Sequence, residues 1–257
     1  MTKFLSKLRN YFVANATGIQ DITSCEQLSQ NNIFGRMANR DKYQDIKGKI
    51  NTDTPIIIDA GANVGNITAL FQQQYKCPTI YAFEPIPELT EGLQKRFEGH
   101  ANIYIIPKAV GAETKTISFN LVNNLVSSSI FPVSDIKKHY HGEKVGIKQI
   151  LNVNMVRLDE ALNGIDGIDI LKLDLQGYEL EALKGCGDLL KDIKIVTTEI
   201  EFVPLYESQP LFGDIDIYLR SNGFKLLNLY ELWTQQDGQL TAGDAVYLNE
   251  RWFDGNN

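Results

Sequence analysis

The sequence has little that would tie it to an oxidising compartment, a membrane or a nucleic acid. Its 257 residues include only three cysteines, Cys25, Cys77 and Cys186. They are scattered and odd in number, with neither a disulfide framework nor zinc-type paired spacing, so they read as reduced thiols in a cytoplasmic protein. No apolar run approaches the roughly 18 residues of a membrane span. A basic excess is also missing. The formal net charge is −7, the reverse of the footprint that phosphate contacts require, which argues against nucleic acid as a partner. Lys7 and Arg9 interrupt the amino-terminal "MTKFLSKLRNYFVANA" where an export signal stays apolar, so export is not expected. Internal repeats and low-complexity tracts are absent.

What is present suits a globular fold: 43% apolar and 22% charged residues in a chain long enough to bury a core. Phe4, Leu5, Leu8 and Phe12 fall on one helical face. That face suits docking onto the main domain or a sister subunit better than a membrane surface, because three basic residues attract lipid only modestly. Residues 1–50 are therefore expected to be an N-terminal helical arm, and a homo-oligomer through that arm is the matching partner expectation.

From residue 55 strands and helices alternate. "PIIID" (55–59), "TIYAFEP" (79–85) and "NIYIIP" (102–107) read as strands, with helices over "NVGNITALFQQQY" and "PELTEGLQKRF". "KTISFNLV" (115–122) and "ILNVNMVRL" (150–158) alternate as half-exposed strands do, and the polar stretch 123–149 between them predicts a flap. Alternation resumes with "IDILKLDL" (168–175), a helix from Tyr178, "IKIVTTEIEF" (193–202), a helix over 212–223 and two closing strands. Repeated strand–helix–strand units imply an α/β fold, a mostly parallel sheet with helices on both faces. Ligands in such sheets sit at the carboxyl ends of the strands. Asp59, Glu84 and Asp174 stand at three such ends.

The loop "DAGANVG" lacks the central glycine of a dinucleotide fingerprint and puts Asp59 where a diphosphate would be repelled. A dinucleotide-dependent oxidoreductase is thereby disfavoured. S-adenosylmethionine, a sulfonium with an α-ammonium, suits a carboxylate better. In this reading Asp59 serves the cationic end, Gly61 and Gly65 let the backbone approach the ligand, and Glu84 accepts both ribose hydroxyls. Capping of the following helices is the alternative role for the two acids. In "ILKLDLQGYELEALKGC" (170–186) an acid inside an apolar run needs a partner to offset its burial.

"IDAGANVGN", "YAFEPIPE", "LKLDLQGYELEALKG" and "TTEIEFVPLY" together resemble the FkbM-type methyltransferases, from about residue 55 to about 249. The resemblance implies S-adenosylmethionine as cofactor and a Rossmann-like class I sheet of seven strands, the last antiparallel, within a domain spanning 51–257. It also implies methylation, mostly of oxygen on sugars, glycans or secondary metabolites, and of nitrogen in some members. The expected cofactor site comprises Asp59, Gly61, Asn63, Gly65, Asn66, Glu84, Pro85 and Asp174. Asp174 is the first choice to face the acceptor, orienting its hydroxyl and taking the proton late, since a carboxylate near pKa 4 cannot deprotonate an alcohol beforehand. Glu199 and Glu201 share a strand face and suggest hydroxyl ligands, with a solvated edge as the alternative. His139, with His141 and Glu143 in "HYHGE", is a further base candidate; two histidines without a defined third ligand specify no metal, and none is assigned.

Overall fold

The computed structural model describes residues 40–122, 130, 147–165, 167–206 and 208–253. The segment before Arg40, most of the expected flap, and His139, His141 and Glu143 lie outside the described residues.

A compact unit begins at Asp41, earlier than the boundary at 51 that the motif pattern suggested. The cause is a short helix, α1 (Lys42–Lys47), started by Asp41, whose carboxylate accepts the N–H groups of Tyr43 and Gln44. α1 buries Ile46 in the core and places Lys42 Nζ 2.6 Å from Asp244.

After α1 come β1 (Ile56–Ala60), α2 (Asn66–Gln74), β2 (Thr79–Phe83), α3 (Pro87–Arg96), β3 (Ile103–Ile106), β4 (Ala109–Val110), β5 (Lys115–Val122) and β6 (Ile147–Val156). The chain continues with α4 (Leu158–Ala161), β7 (Ile168–Leu173), α5 (Glu179–Lys184), a 3₁₀ turn (Gly187–Asp192), β8 (Ile193–Glu201), α6 (Phe212–Ser221), β9 (Phe224–Thr234), β10 (Leu240–Asn249) and α7 (Glu250–Phe253). Seven strands form one sheet in the order β3-β2-β1-β7-β8-β10-β9. β10 runs antiparallel to both neighbours, while β3, β2, β1, β7 and β8 pair in parallel. This is the class I methyltransferase sheet.

Alternation along each strand feeds two cores. Ile58, Leu171, Val196 and Ala245 join Leu183 and Leu219 of α5 and α6 on one face. Ile57, Ile170, Ile195 and Val246 join Ile46, Phe71 and Leu93 of α1, α2 and α3 on the other. Successive residues of a central strand are thus both buried, which is why these strands read as continuous apolar runs.

The half-exposed strands leave the main sheet, for a reason visible in their pattern: only one face of each is apolar. β5 and β6 pair antiparallel and with β4 make a second, three-stranded sheet. Phe119, Leu121, Val153 and Met155 pack it onto Ile86 and Leu89 at the start of α3. It thereby stands beside the carboxyl end of β2.

Candidate active site

Strand register brings the predicted acids into one row. Ala60 lies opposite both Phe83 and Leu173, Leu173 opposite Thr198, and Thr198 opposite Ala245. One step further along each parallel strand come Gly61, Glu84, Asp174 and Glu199, and Asp244 faces Glu199 across the antiparallel pair. The chain order reverses direction across this sheet between β1 and β7, the crevice where open α/β sheets take ligands.

Asp59 does not open onto that crevice. It is fully buried, with Thr68 Oγ1 donating to Oδ2 at 2.6 Å and Lys172 Nζ 3.0 Å from Oδ1. Lys172, itself buried, also donates to the Gly61 carbonyl at 2.8 Å and stands 3.9 Å from Asp174 Oδ2. Burial alone would lower the lysine pKa; Asp59 and then Asp174 outweigh it and hold the ammonium above its ordinary value. The cation that Asp59 was expected to meet on a ligand is therefore supplied by the protein.

The glycines are also packed against protein. Gly61 (φ +78°) has no room for a Cβ because the Asp174 carbonyl oxygen occupies the space, and at Gly65 (φ +83°) the side chains of Leu93 and Phe97 do so. Both glycines admit protein, in left-handed conformations that disfavour other residues. Asn66 starts α2 at the surface, where its Oδ1 accepts from Arg96 at 2.9 Å.

Two cavities meet over this row, sharing Asn63, Asp174 and Gln176. The narrower has Gly61, Glu84 and Pro85 on one side and apolar Ile86, Leu89, Val110 and Phe119 around them. Glu84 is held rigidly, Oε2 accepting from the Asn63 N–H and Oε1 from the Ile86 N–H, each at 2.9 Å. Burial raises its pKa, and these N–H groups and Lys172 oppose that rise. Each oxygen keeps a lone pair for one hydroxyl of a vicinal diol. Asn63 (φ +51°) has a buried Oδ1 without a hydrogen-bond partner among the described residues, on the wall of both cavities. A ribose on Glu84, a flat base among the apolar side chains and a polar tail toward Asn63 fit this set of groups.

The wider cavity measures about 600 Å³, within the range of small-molecule sites. Lys172, Asp174, Gln176, Glu199 and Asp244 line it, joined by Lys42 and Tyr43 of α1 and by Glu231 and Trp233 of β9. Gln176 bridges two acids: Nε2 donates to Asp174 Oδ1 at 3.1 Å and to Glu199 Oε2 at 2.9 Å, while Oε1 accepts from the Tyr206 hydroxyl at 2.9 Å. Glu201 has the expected strand parity yet is buried outside the cavity wall, 1% exposed. Behind the bridge Glu179 accepts the Leu175 N–H and fixes the turn; burial pushes its carboxyl up to about 7.

The model of the methyltransferase FkbM domain matches residues 59–226, more than half of the chain. The chain belongs to the FkbM methyltransferase family. It is 24% identical over 217 residues to methyltransferase SdnD of Sordaria araneosa, covering 73% of this chain and 81% of that one. Over 186 residues it is 23% identical to 2-O-methyltransferase NoeI of Sinorhizobium fredii, covering 68% and 75%. Over 147 residues it is 23% identical to hexuronic acid methyltransferase AglP of Haloferax volcanii, covering 56% and 55%. This FkbM methyltransferase uses S-adenosylmethionine.

Of the residues singled out in the sequence, Gly61, Asn63, Glu84, Pro85, Asp174 and Glu199 line the two cavities of the methyltransferase, while Asp59, Gly65, Asn66 and Glu201 line neither. Sequence reasoning missed Lys172, Gln176, Lys42, Glu231, Trp233 and Asp244. For Lys172 a signal existed: a lysine inside the apolar run "ILKLDL" needs a buried anion, and Asp59 is one. Among the described residues no group of three or more His, Cys, Asp or Glu is placed to hold a metal. No helix among them is long and apolar enough to cross a membrane.

Two tests follow from this geometry. In Glu84→Gln one backbone N–H faces an amide NH₂ instead of an oxygen. Affinity for S-adenosylhomocysteine, measured by calorimetry, is expected to fall roughly ten- to a hundredfold, the loss of about one charge-assisted hydrogen bond. Unchanged affinity would separate Glu84 from the ribose. At Glu199 burial, then the charges of Asp174, Glu201, Glu179 and Asp244, raise the carboxyl well above its ordinary value of 4.5. The folded protein then holds a proton that the unfolded chain releases, so this site loses stability as pH rises from 4.5 through the raised value. Glu199→Gln removes that loss: its melting temperature is expected above wild type at alkaline pH, the gap closing toward pH 4.5. A constant gap across the range would contradict the assignment.

Proposed function

We propose that the chain transfers the methyl group of S-adenosylmethionine to a hydroxyl of a sugar, glycan or related metabolite. The observation that carries this reading is Asp174, which belongs to the walls of both cavities and is half exposed, at 45%. S-adenosylmethionine, when bound, supplies an electrophilic methyl group on a sulfonium. Glu84 and Asn63 hold it, Lys172 keeps the loop carbonyl and Asp174 in place, and the narrow cavity excludes water. Asp174 accepts the hydrogen bond of the acceptor hydroxyl and takes its proton as the carbon–oxygen bond forms. Gln176 orients that carboxylate and links it to Glu199.

NoeI and AglP, named for 2-O-methylation and for a hexuronic acid, support the oxygen and sugar classes. The net charge of −7 supports a small acceptor over a nucleic acid. Asp174 and Glu231 on the wall of the wide cavity also favour a second reading, methylation of an amine, because carboxylates there would attract its ammonium. The deciding experiment incubates the protein with methyl-labelled S-adenosylmethionine and a panel of glycosides, alcohols and amines. Mass spectrometry follows the gain of one methylene, and NMR identifies the atom carrying it. Label transferred to amines alone would overturn the oxygen reading.

A further inference from the structure

The wide cavity has one wall that the transfer chemistry does not use. Trp233, near the tip of β9, is 70% exposed, the most exposed large hydrophobic residue among those described, and it borders the cavity. Trp252 differs: Lys194 and Arg251 lie 5.3 and 5.5 Å from its ring at the far end of the sheet's last strand.

A bulge aims Trp233. Tyr230 pairs with Asp244 and Trp233 with Ala242, so Glu231 and Leu232 together oppose the single Gly243. Glu231 takes the left-handed conformation, φ +48°, at which a side-chain-bearing residue is strained. Gly243 sits opposite the bulge, where a Cβ would press on the Leu232 side chain. In a regular strand Trp233, three residues from Tyr230, would face away from it. The extra residue returns Trp233 to the face of Tyr230 and Asp244, which is also the face of Glu199. An exposed indole and four carboxylates, Asp174, Glu199, Glu231 and Asp244, thus border one cavity.

We propose that Trp233 is the stacking platform for a pyranose ring of the acceptor, with Glu231 and Asp244 accepting its peripheral hydroxyls. This rests on the hydroxyl-methylation reading above. A pyranose has the matching duality, an apolar C–H face for the indole and a rim of O–H donors for the oxygens of Glu231 and Asp244. A flat apolar alcohol would satisfy the indole and offer a single hydroxyl to the acids.

The test uses full-length protein saturated with S-adenosylhomocysteine. The chain has two tryptophans, so Trp252→Phe leaves Trp233 as the sole indole reporter. Methyl glycosides of glucose, galactose, fucose and N-acetylglucosamine are titrated while its fluorescence is followed, with benzyl alcohol and cyclohexanol as non-sugar controls. At least one glycoside is expected to shift the emission. In turnover assays Trp233→Ala is expected to raise the KM for that glycoside about tenfold, with kcat changed far less and Trp233→Tyr largely restoring it. Unchanged calorimetric affinity for S-adenosylhomocysteine shows that Trp233→Ala is folded. If glycosides are methylated with the same KM by Trp233→Ala, the platform is overturned and the sugar reading stands. If only the non-sugar alcohols bind or react, both fall.

Discussion

Asp174→Asn is expected to lower kcat by roughly 10²–10⁴-fold, the usual contribution of a positioned general base. Affinity for S-adenosylhomocysteine is expected to stay close to wild type. The side chain reaches both cavities, and its loop is held by other groups: the Asp174 N–H donates to Ala60 O at 3.2 Å, and the Leu175 N–H is taken by Glu179. Asparagine keeps an oxygen for Gln176 Nε2 but has no site for the acceptor's proton. Single-turnover assays with the acceptor found in the panel, alongside calorimetry, read the two quantities separately. Unchanged turnover would remove Asp174 from the mechanism, and a parallel collapse of cofactor affinity would recast it as a binding residue.

The second large effect is on folding. Lys172→Met is expected to destabilise the protein by about 3–5 kcal/mol, the cost of leaving one member of a buried ion pair uncompensated. Asp59 has no exposed surface and would keep only Thr68 as donor, while the Gly61 carbonyl would lose its ammonium. The double variant Asp59→Asn with Lys172→Met is expected to recover most of the loss, since an amide carbonyl still accepts from Thr68. Because the folded pKa of Lys172 is raised, the pair's contribution persists through neutral pH and is lost only as pH climbs beyond the ordinary lysine value of 10.5. Urea denaturation of the two variants measures both effects. A single variant as stable as wild type would show that the pair contributes nothing net.

Much of the fold was legible because its signals are local. The apolar runs of β1, β7 and β8 announce strands buried on both faces, and Pro87 and Gly223 mark a helix start and a helix stop. Glu84 and Asp174 could be read for the same reason: each stands just past a strand end that its own neighbours define. Asp59 has a protein cation beside it that the local pattern does not show. Its cation, Lys172, is 113 residues away along the chain, and only the β1–β7 register puts them side by side. Gln176 was passed over because two of its three hydrogen bonds, to Glu199 and Tyr206, are long-range and leave no mark in the local pattern; only the one to Asp174 is local.

The acceptor side was the least legible part. "FKLLNLYEL" reads simply as a strand, and continued without a bulge it would turn Trp233 away from the face of Tyr230 and Asp244. The bulge that reverses this lies opposite Gly243 of the next strand, a pairing that no single segment encodes. The sequence by itself determined the sheet, the family and the acids at the strand ends, because periodicity and motif spacing are properties of neighbouring residues. Which acids line a cavity and which are buried against protein was decided only by the tertiary structure. Register across β1, β7, β8 and β10 places the counter-charges, and a buried carboxylate takes whichever cation the fold brings nearest.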